Sequence, residues 1–248
     1  MKVVILAGGK GSRISEITKR IPKPMIQVKN RTILEHIINI YSEQNFKEFI
    51  IAIGYKGELI KKYFKKYEIK KNQYQLKGNN KIIRILFIQT GNRTMTGGRL
   101  KYIEKYLDKE DKNFMFTYGD GLANINLQKL KKFHLKTKKV ATLTAVRPLS
   151  RYGVLDIKGN SVKTFKEKMP LKSGWINGGF FIFNFKIFRY LKSYKTVLER
   201  EPLENLAKRN QLNASKHFGF WHSIDTHRDK EHLESLLKKR NKKLPWIK

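Results

Sequence analysis

The sequence predicts an α/β fold with a mixed, mostly parallel central sheet flanked by helices. Three observations carry that expectation. The chain opens on a short, fully apolar run, Val3-Val4-Ile5-Leu6-Ala7, which suits a strand buried on both faces. Runs of that kind then alternate with amphipathic helical patterns. At 248 residues the chain can bury a substantial core, and without a single cysteine it needs no disulfide or thiolate metal staple.

The elements follow in order. Lys2–Ala7 reads as the first buried strand. Thr32-Ile33-Leu34-Glu35 is a capping box, and Ile33, Ile37, Ile40 and Tyr41 share one face of the helix that it opens, to about Gln44. Glu48–Gly54 reads as a second buried strand and Glu58–Tyr67 as a basic amphipathic helix. Residues 68–81 are polar and read as a mobile loop. Then come a strand over Ile82–Gln89, a helix over Gly98–Leu107 and a strand over Asn113–Tyr118 that ends in Gly119-Asp120-Gly121. A helix over Leu127–Lys136 and a strand over Val140–Val146 complete a Rossmann-like first half.

After Arg151 the strands shorten, near Gly153–Ile157, Val162–Glu167 and Ile176–Phe183. Helices near Phe185–Leu191 and Pro202–Lys208, a strand near Ala214–Phe218 and a last helix from about Arg228 to Arg240 follow. The Lys-rich tail beyond is expected to fray. No internal repeat is visible, and the whole of 1–248 reads as one domain.

Charge is lopsided: 54 Lys and Arg stand against 20 Asp and Glu, a formal net charge of +34. The lysines are spread along the whole chain, which marks a solvated surface rather than a nucleic-acid face. That field draws anionic substrates in. No apolar run is long enough for a signal peptide or a membrane span, so the expectation is a soluble, cytoplasmic protein without membrane insertion or a specific nucleic-acid partner.

The chemistry-bearing residues lie at strand ends, where open α/β sheets bind ligands. Gly8, Gly9 and Gly11 follow the first strand and let backbone N–H groups approach a phosphate; Arg13 adds a planar fork of donors. Lys23 sits between Pro22 and Pro24, which fix the backbone around one positive charge. The loop matches neither the dinucleotide fingerprint nor the P-loop. Asp120 reads as a magnesium ligand, though its glycine-flanked setting is also that of a β-turn. Asp225-Thr226 reads locally as a helix N-cap. Glu167-Lys168 and Asn177-Gly178-Gly179 suit a sugar phosphate, or an exposed ion pair. Met95-Thr96-Gly97-Gly98-Arg99 opens a helix that either presents N–H groups to an anion or is a glycine-rich cap. The histidines show no metal spacing, and His222 and His227 read as supporting or surface groups.

Taken together, Leu6-Ala7-Gly8-Gly9 with Gly11 and Arg13, followed by Pro22-Lys23-Pro24-Met25, resemble the signature of the sugar-1-phosphate nucleotidylyltransferases. Gly54-Tyr55-Lys56-Gly57, Thr94-Met95-Thr96-Gly97-Gly98-Arg99-Leu100, Thr117-Tyr118-Gly119-Asp120-Gly121, Asn177-Gly178-Gly179-Phe180-Phe181, Gly219-Phe220-Trp221 and Asp225-Thr226 are closest to members that join CTP to glucose 1-phosphate. The resemblance runs nearly end to end and implies a homo-oligomer.

It also implies roles. Leu6, Ala7, Gly8, Gly9, Gly11, Ser12, Arg13, Lys23, Thr96 and Arg99 bind nucleotide, with Lys23 and Arg13 acting on the phosphates. Tyr118, Glu167, Lys168, Asn177 and Gly178 face the sugar phosphate. Asp120 and Asp225 hold Mg2+, which sets aside the capping role for Asp225. Residues 1–147 form the nucleotide-binding half, and residues 148–248 the sugar-phosphate half with the last helix. The chain departs from the family pattern at Lys10, Ser12, Lys29-Asn30 and Met169, and is short after Tyr67. Two alternatives remain open: another nucleotide or sugar, and an inactive nucleic-acid-binding or regulatory relative.

Overall fold

The apolar run that opens the chain becomes the middle strand of a nine-stranded sheet. The computed structural model describes residues 1–78, 81–148, 154–158, 160–166, 174–239 and 244–247. In chain order these hold β1 (Val3–Ala7), α1 (Ser15–Thr18), β2 (Gln27–Val28), β3 (Arg31–Thr32), α2 (Ile33–Ser42), β4 (Glu48–Ile53), α3 (Gly57–Phe64), β5 (Glu68–Lys70), β6 (Gln73–Gly78), β7 (Lys81–Gln89) and α4 (Thr96–Ile103). The second part holds β8 (Asn113–Tyr118), β9 (Gly121–Ala123), α5 (Leu127–Thr137), β10 (Ala141–Val146), β11 (Val154–Lys158), β12 (Ser161–Lys166), β13 (Ile176–Asn184), α6 (Glu201–Lys208), β14 (Leu212–His217), β15 (Trp221–Ser223) and α7 (His227–Lys239).

The large sheet runs β14-β10-β13-β8-β1-β4-β7-β6-β5. Along β1, Val3, Ile5 and Ala7 enter the core on one face, while Val4 and Leu6 enter the core on the other. A strand covered on both faces has no use for a polar residue, which is why its sequence does not alternate. The sheet is mixed, as the sequence implies. The expected lean towards parallel pairing is not met: β1·β4, β1·β8, β4·β7 and β10·β14 are parallel, and β10·β13, β8·β13, β6·β7 and β5·β6 are antiparallel. The reason is that β13 inserts antiparallel between β8 and β10, and a hairpin closes the far edge.

That hairpin overturns the mobile loop expected over 68–81. β5 and β6 extend the sheet, and Tyr74 is buried edge-on against Phe87. Tyr74, with the half-buried Leu76 against the same core, pins a strand that is otherwise polar. The tail is corrected in the same way. Residues 240–243 lie outside the described residues, but beyond them Trp246 is buried and its indole N–H donates to His36 Nδ1 at 3.3 Å. The capping box of α2 is formed as read, and Lys29 and Asn30 both take the left-handed conformation that a tight β2–β3 turn requires. Among the described residues, no helix is long and apolar enough to cross a membrane.

Candidate active site

The carboxyl ends of the parallel strands β1 and β8 open into a cleft of about 1790 Å³. Gly11 turns the chain just after β1, with φ of +65° and its carbonyl accepting from the Ile14 N–H and the Thr18 hydroxyl. A Cβ there would meet Thr18 Cγ2 at 2.7 Å, so both the turn and the space call for glycine. The turn sends Arg13 and then Lys23 back over the strand ends.

Lys23 is the centre of the site. Its ammonium donates to Asp120 Oδ2 and to Asp225 Oδ1, each at 2.7 Å. Arg13 reaches the same Asp225 oxygen at 3.0 Å, and the Ser223 hydroxyl donates to the other at 3.2 Å. Burial works against the Lys23 ammonium, but the two carboxylates outweigh it and raise its pKa above the ordinary lysine value. Burial likewise opposes the Asp225 carboxylate, yet Lys23 and Arg13 hold its pKa below the usual range. The pair is therefore ionised through neutral pH.

Two carboxylates more than a hundred residues apart meet because of a ladder that the sequence reading did not find. β9 pairs with β15, Gly121 opposite Ser223, and the Ile224 N–H donates to the Asp120 carbonyl at 3.1 Å. The N-cap of α7 is Thr226, not Asp225. Thr226 Oγ1 accepts from the Asp229 N–H at 3.2 Å, and Asp229 accepts from the Thr226 N–H at 2.8 Å. This box frees the Asp225 carboxylate to face Lys23, which is why the capping role read from local sequence fails. Two carboxylates converging on one cation position suit Mg2+, an ion usually held by one or two carboxylates together with substrate phosphates.

The other predicted residues divide. Leu6, Ala7, Gly9, Gly11, Arg13, Thr96, Tyr118, Asn177 and Gly178 line the cleft; Gly8 and Ser12 are not on its wall. Arg99 borders it, but the residue is only 4% exposed, and its guanidinium braces the glycine loop from beneath. It donates to the Gly8 carbonyl at 2.7 Å, the Thr90 hydroxyl at 2.6 Å and the Gly91 carbonyl at 2.8 Å. Burial lowers its pKa, though arginine stays charged in proteins. The start of α4 is bound to a neighbouring loop, since the Gly98 N–H donates to the Thr196 carbonyl at 3.1 Å, so that N–H does not serve an anion. The Trp221 indole holds the Gly178 carbonyl at 2.8 Å. His222 borders the cleft and contacts the Asp229 carbonyl, while His227 pairs with Glu231 on the surface. Glu167 and Lys168, like Met169, lie outside the described residues. Glu199, which the sequence reading passed over, stands in the cleft against Tyr118 and Thr96.

A glycine loop with basic side chains after the first strand, facing paired carboxylates at two other strand ends, suits a nucleoside triphosphate. The chain belongs to the nucleotidyl transferase family, whose model matches residues 2–229. It is 44% identical over 239 residues to a probable glucose-1-phosphate cytidylyltransferase of Bacillus subtilis, covering 92% of this chain and 93% of that one. It is 42% identical over 256 residues to the glucose-1-phosphate cytidylyltransferase of Salmonella typhimurium, covering 99% and 98%. Among solved structures, HddC from Yersinia pseudotuberculosis complexed with GMP-PN matches with a TM-score of 0.71 at 25% identity, over 95% of this chain and 99% of that one. A UDP-glucose pyrophosphorylase complexed with UDP-glucose shares the fold, with a TM-score of 0.71 at 17% identity over 96% and 98%.

Proposed function

We propose that the protein transfers a cytidylyl group from CTP to α-D-glucose 1-phosphate, giving CDP-glucose and pyrophosphate. The observation that carries the reading is the Lys23 ammonium fixed between Asp120 and Asp225 directly across from the glycine loop. The family and the two relatives above supply the choice of CTP and glucose 1-phosphate. A phosphate oxygen of the sugar phosphate attacks the α-phosphorus of CTP in line; that O–P bond forms as the bond to the pyrophosphate oxygen breaks. No covalent enzyme intermediate is needed, so positioning and charge stabilisation are the protein's work.

Lys23 meets charge building on the α-phosphate. Arg13, the most exposed member of the cluster, swings to hold the departing pyrophosphate. Gly9 and Gly11 border the triphosphate, and Arg99 keeps their loop in place from below. Thr96, expected on the nucleotide side, is bound to Glu199 at the border between the two substrates, and Tyr118, Asn177 and Gly178 border the sugar. Asp120 and Asp225 would hold a Mg2+ ion, which neutralises phosphate charge when bound. The first part of the chain, 1–147, thus serves mainly the nucleotide and 148–248 the sugar phosphate. On this reading the enzyme works in the cytoplasm and feeds CDP-sugars to surface polysaccharide such as O-antigen, and the family resemblance makes it a homo-oligomer.

The test is Mg2+-dependent pyrophosphate release with glucose 1-phosphate and CTP, UTP, dTTP, GTP or ATP in parallel. Release with CTP alone supports the reading. Release with another nucleotide keeps the chemistry and overturns the specificity. Silence with all five nucleotides, and then with a panel of other sugar phosphates, overturns the enzyme reading.

A further inference from the structure

Glu199 is a carboxylate in a cleft built for two polyanions, and no role assigned so far uses it. It lies in the loop before α6 and is exposed to the cleft. The Tyr118 hydroxyl donates to its Oε1, and the Thr96 hydroxyl donates to its Oε2 at 2.6 Å. Its loop is fastened to the start of α4. The Leu198 N–H donates to Thr96 Oγ1 at 2.9 Å, the Met95 N–H to the Tyr194 carbonyl at 2.9 Å and the Gly98 N–H to the Thr196 carbonyl at 3.1 Å. The carboxylate is therefore held in place from two sides.

Such an arrangement opposes phosphate binding at this spot, because like charges repel. An ionised carboxylate only accepts hydrogen bonds, and it has room for about four. Tyr118 and Thr96 take two, which leaves acceptors turned to the cleft for an uncharged donor. The proposed substrates offer two kinds: several ring hydroxyls on the sugar, and one amino group on cytosine. The supports of Glu199 decide between them. Tyr118 ends β8 beside Asp120, and it lines the cleft together with Asn177 and Gly178 at the start of β13. That sets Glu199 among the residues assigned above to the sugar.

We propose that Glu199 reads the sugar: it accepts hydrogen bonds from ring hydroxyls of the hexose 1-phosphate, with Tyr118 and Thr96 as the hydroxyl pair that aims it. This rests on the sugar-phosphate reading given above. Glu199→Gln keeps the shape and removes the charge. Its KM for glucose 1-phosphate should rise roughly 10- to 100-fold, the size of a hydrogen bond to a charged group, with KM for CTP within two- to three-fold of wild type. Mono-deoxy glucose 1-phosphates lacking the hydroxyl that Glu199 reads should bind wild type poorly, and the variant should lose that discrimination. Glu199→Asp should recover part of it, and thermal unfolding of both variants should track wild type.

A shift in CTP over UTP preference with unchanged sugar KM would overturn the inference and assign Glu199 to the base. Unchanged constants for both substrates would overturn it outright. Should wild type release no pyrophosphate with any nucleotide, the enzyme reading fails separately. Calorimetric binding of glucose 1-phosphate to wild type and Glu199→Gln then decides, and equal affinities overturn the inference.

Discussion

Replacing Lys23 by methionine keeps an unbranched side chain, one atom shorter, and removes the ammonium with its charge and its two hydrogen bonds. The structure sets the size of the effect. The ammonium lies 2.7 Å from each of two carboxylates; the Lys23 side chain is 11% exposed, and those of Asp120 and Asp225 are 28% and 15% exposed. A preorganised contact of this kind is typically worth 10²–10³ in kcat, or about 3–4 kcal/mol, when it meets charge in the transition state. Lys23→Met should therefore lower kcat roughly 10²- to 10³-fold with the KM values changed by no more than a few-fold.

Stability should respond in its own way. The variant leaves Asp225 to Arg13, whose side chain is 70% exposed, so its compensation is screened by water. Two carboxylates close together then repel, and the melting temperature should fall. Added Mg2+ should raise it more in the variant than in wild type, because the carboxylates are then unpaired. Initial rates of pyrophosphate release, with thermal unfolding at several Mg2+ concentrations, check both effects. The pH dependence has a definite sign. The Lys23 pKa is raised, so its stabilising charge is complete below the ordinary value of 10.5 and fades as pH rises through the still higher folded value. Near-wild-type kcat in a folded Lys23→Met protein would refute the catalytic role.

Three further outcomes are expected. Asp225→Asn should raise the Mg2+ concentration for half-maximal rate roughly ten-fold, the size of one charged contact, and an unchanged Mg2+ titration would remove Asp225 from the metal site. Gly8→Ala would put a Cβ 2.3 Å from Arg99 Nη1 and 2.8 Å from the Gly54 amide nitrogen. It should cost about 1–3 kcal/mol of stability and weaken CTP binding in calorimetry, because the brace and the loop move together. Burial lowers the His134 pKa from 6.5 to about 4, so the stability that this neutral ring contributes is complete above 6.5 and is lost as pH falls towards 4. That amounts to about 2 kcal/mol by pH 5; urea unfolding from pH 7 to pH 5 should show the loss in wild type and a shallower slope in His134→Gln.

Much of this protein was legible in its sequence because its signals are local. The glycine loop, the Pro22-Lys23-Pro24 trio and the α2 capping box are each specified within a few residues, and all three form as read. The errors lie where a distant partner decides. Residues 68–78 are polar, and only the edge of β7 makes a hairpin of them. Arg99 looks like a phosphate ligand until Gly8, 91 positions away, supplies the carbonyl that holds it.

Scarcity of acids could have pointed to what local patterns missed. With 20 acidic residues against 54 basic ones, a carboxylate in this chain has cations near it almost anywhere. Setting Asp120, Asp225 and Glu199 in one cleft instead brings like charges together, which costs free energy unless each faces a partner of its own. Asp120 and Asp225 share Lys23, while Glu199 is held by two neutral hydroxyls. The two settings divide the cleft chemically, a cation-bearing end that handles phosphates and an anionic acceptor end that suits hydroxyls. The Glu199→Gln and Lys23→Met variants should therefore separate cleanly, the first acting on KM for the sugar phosphate and the second on kcat.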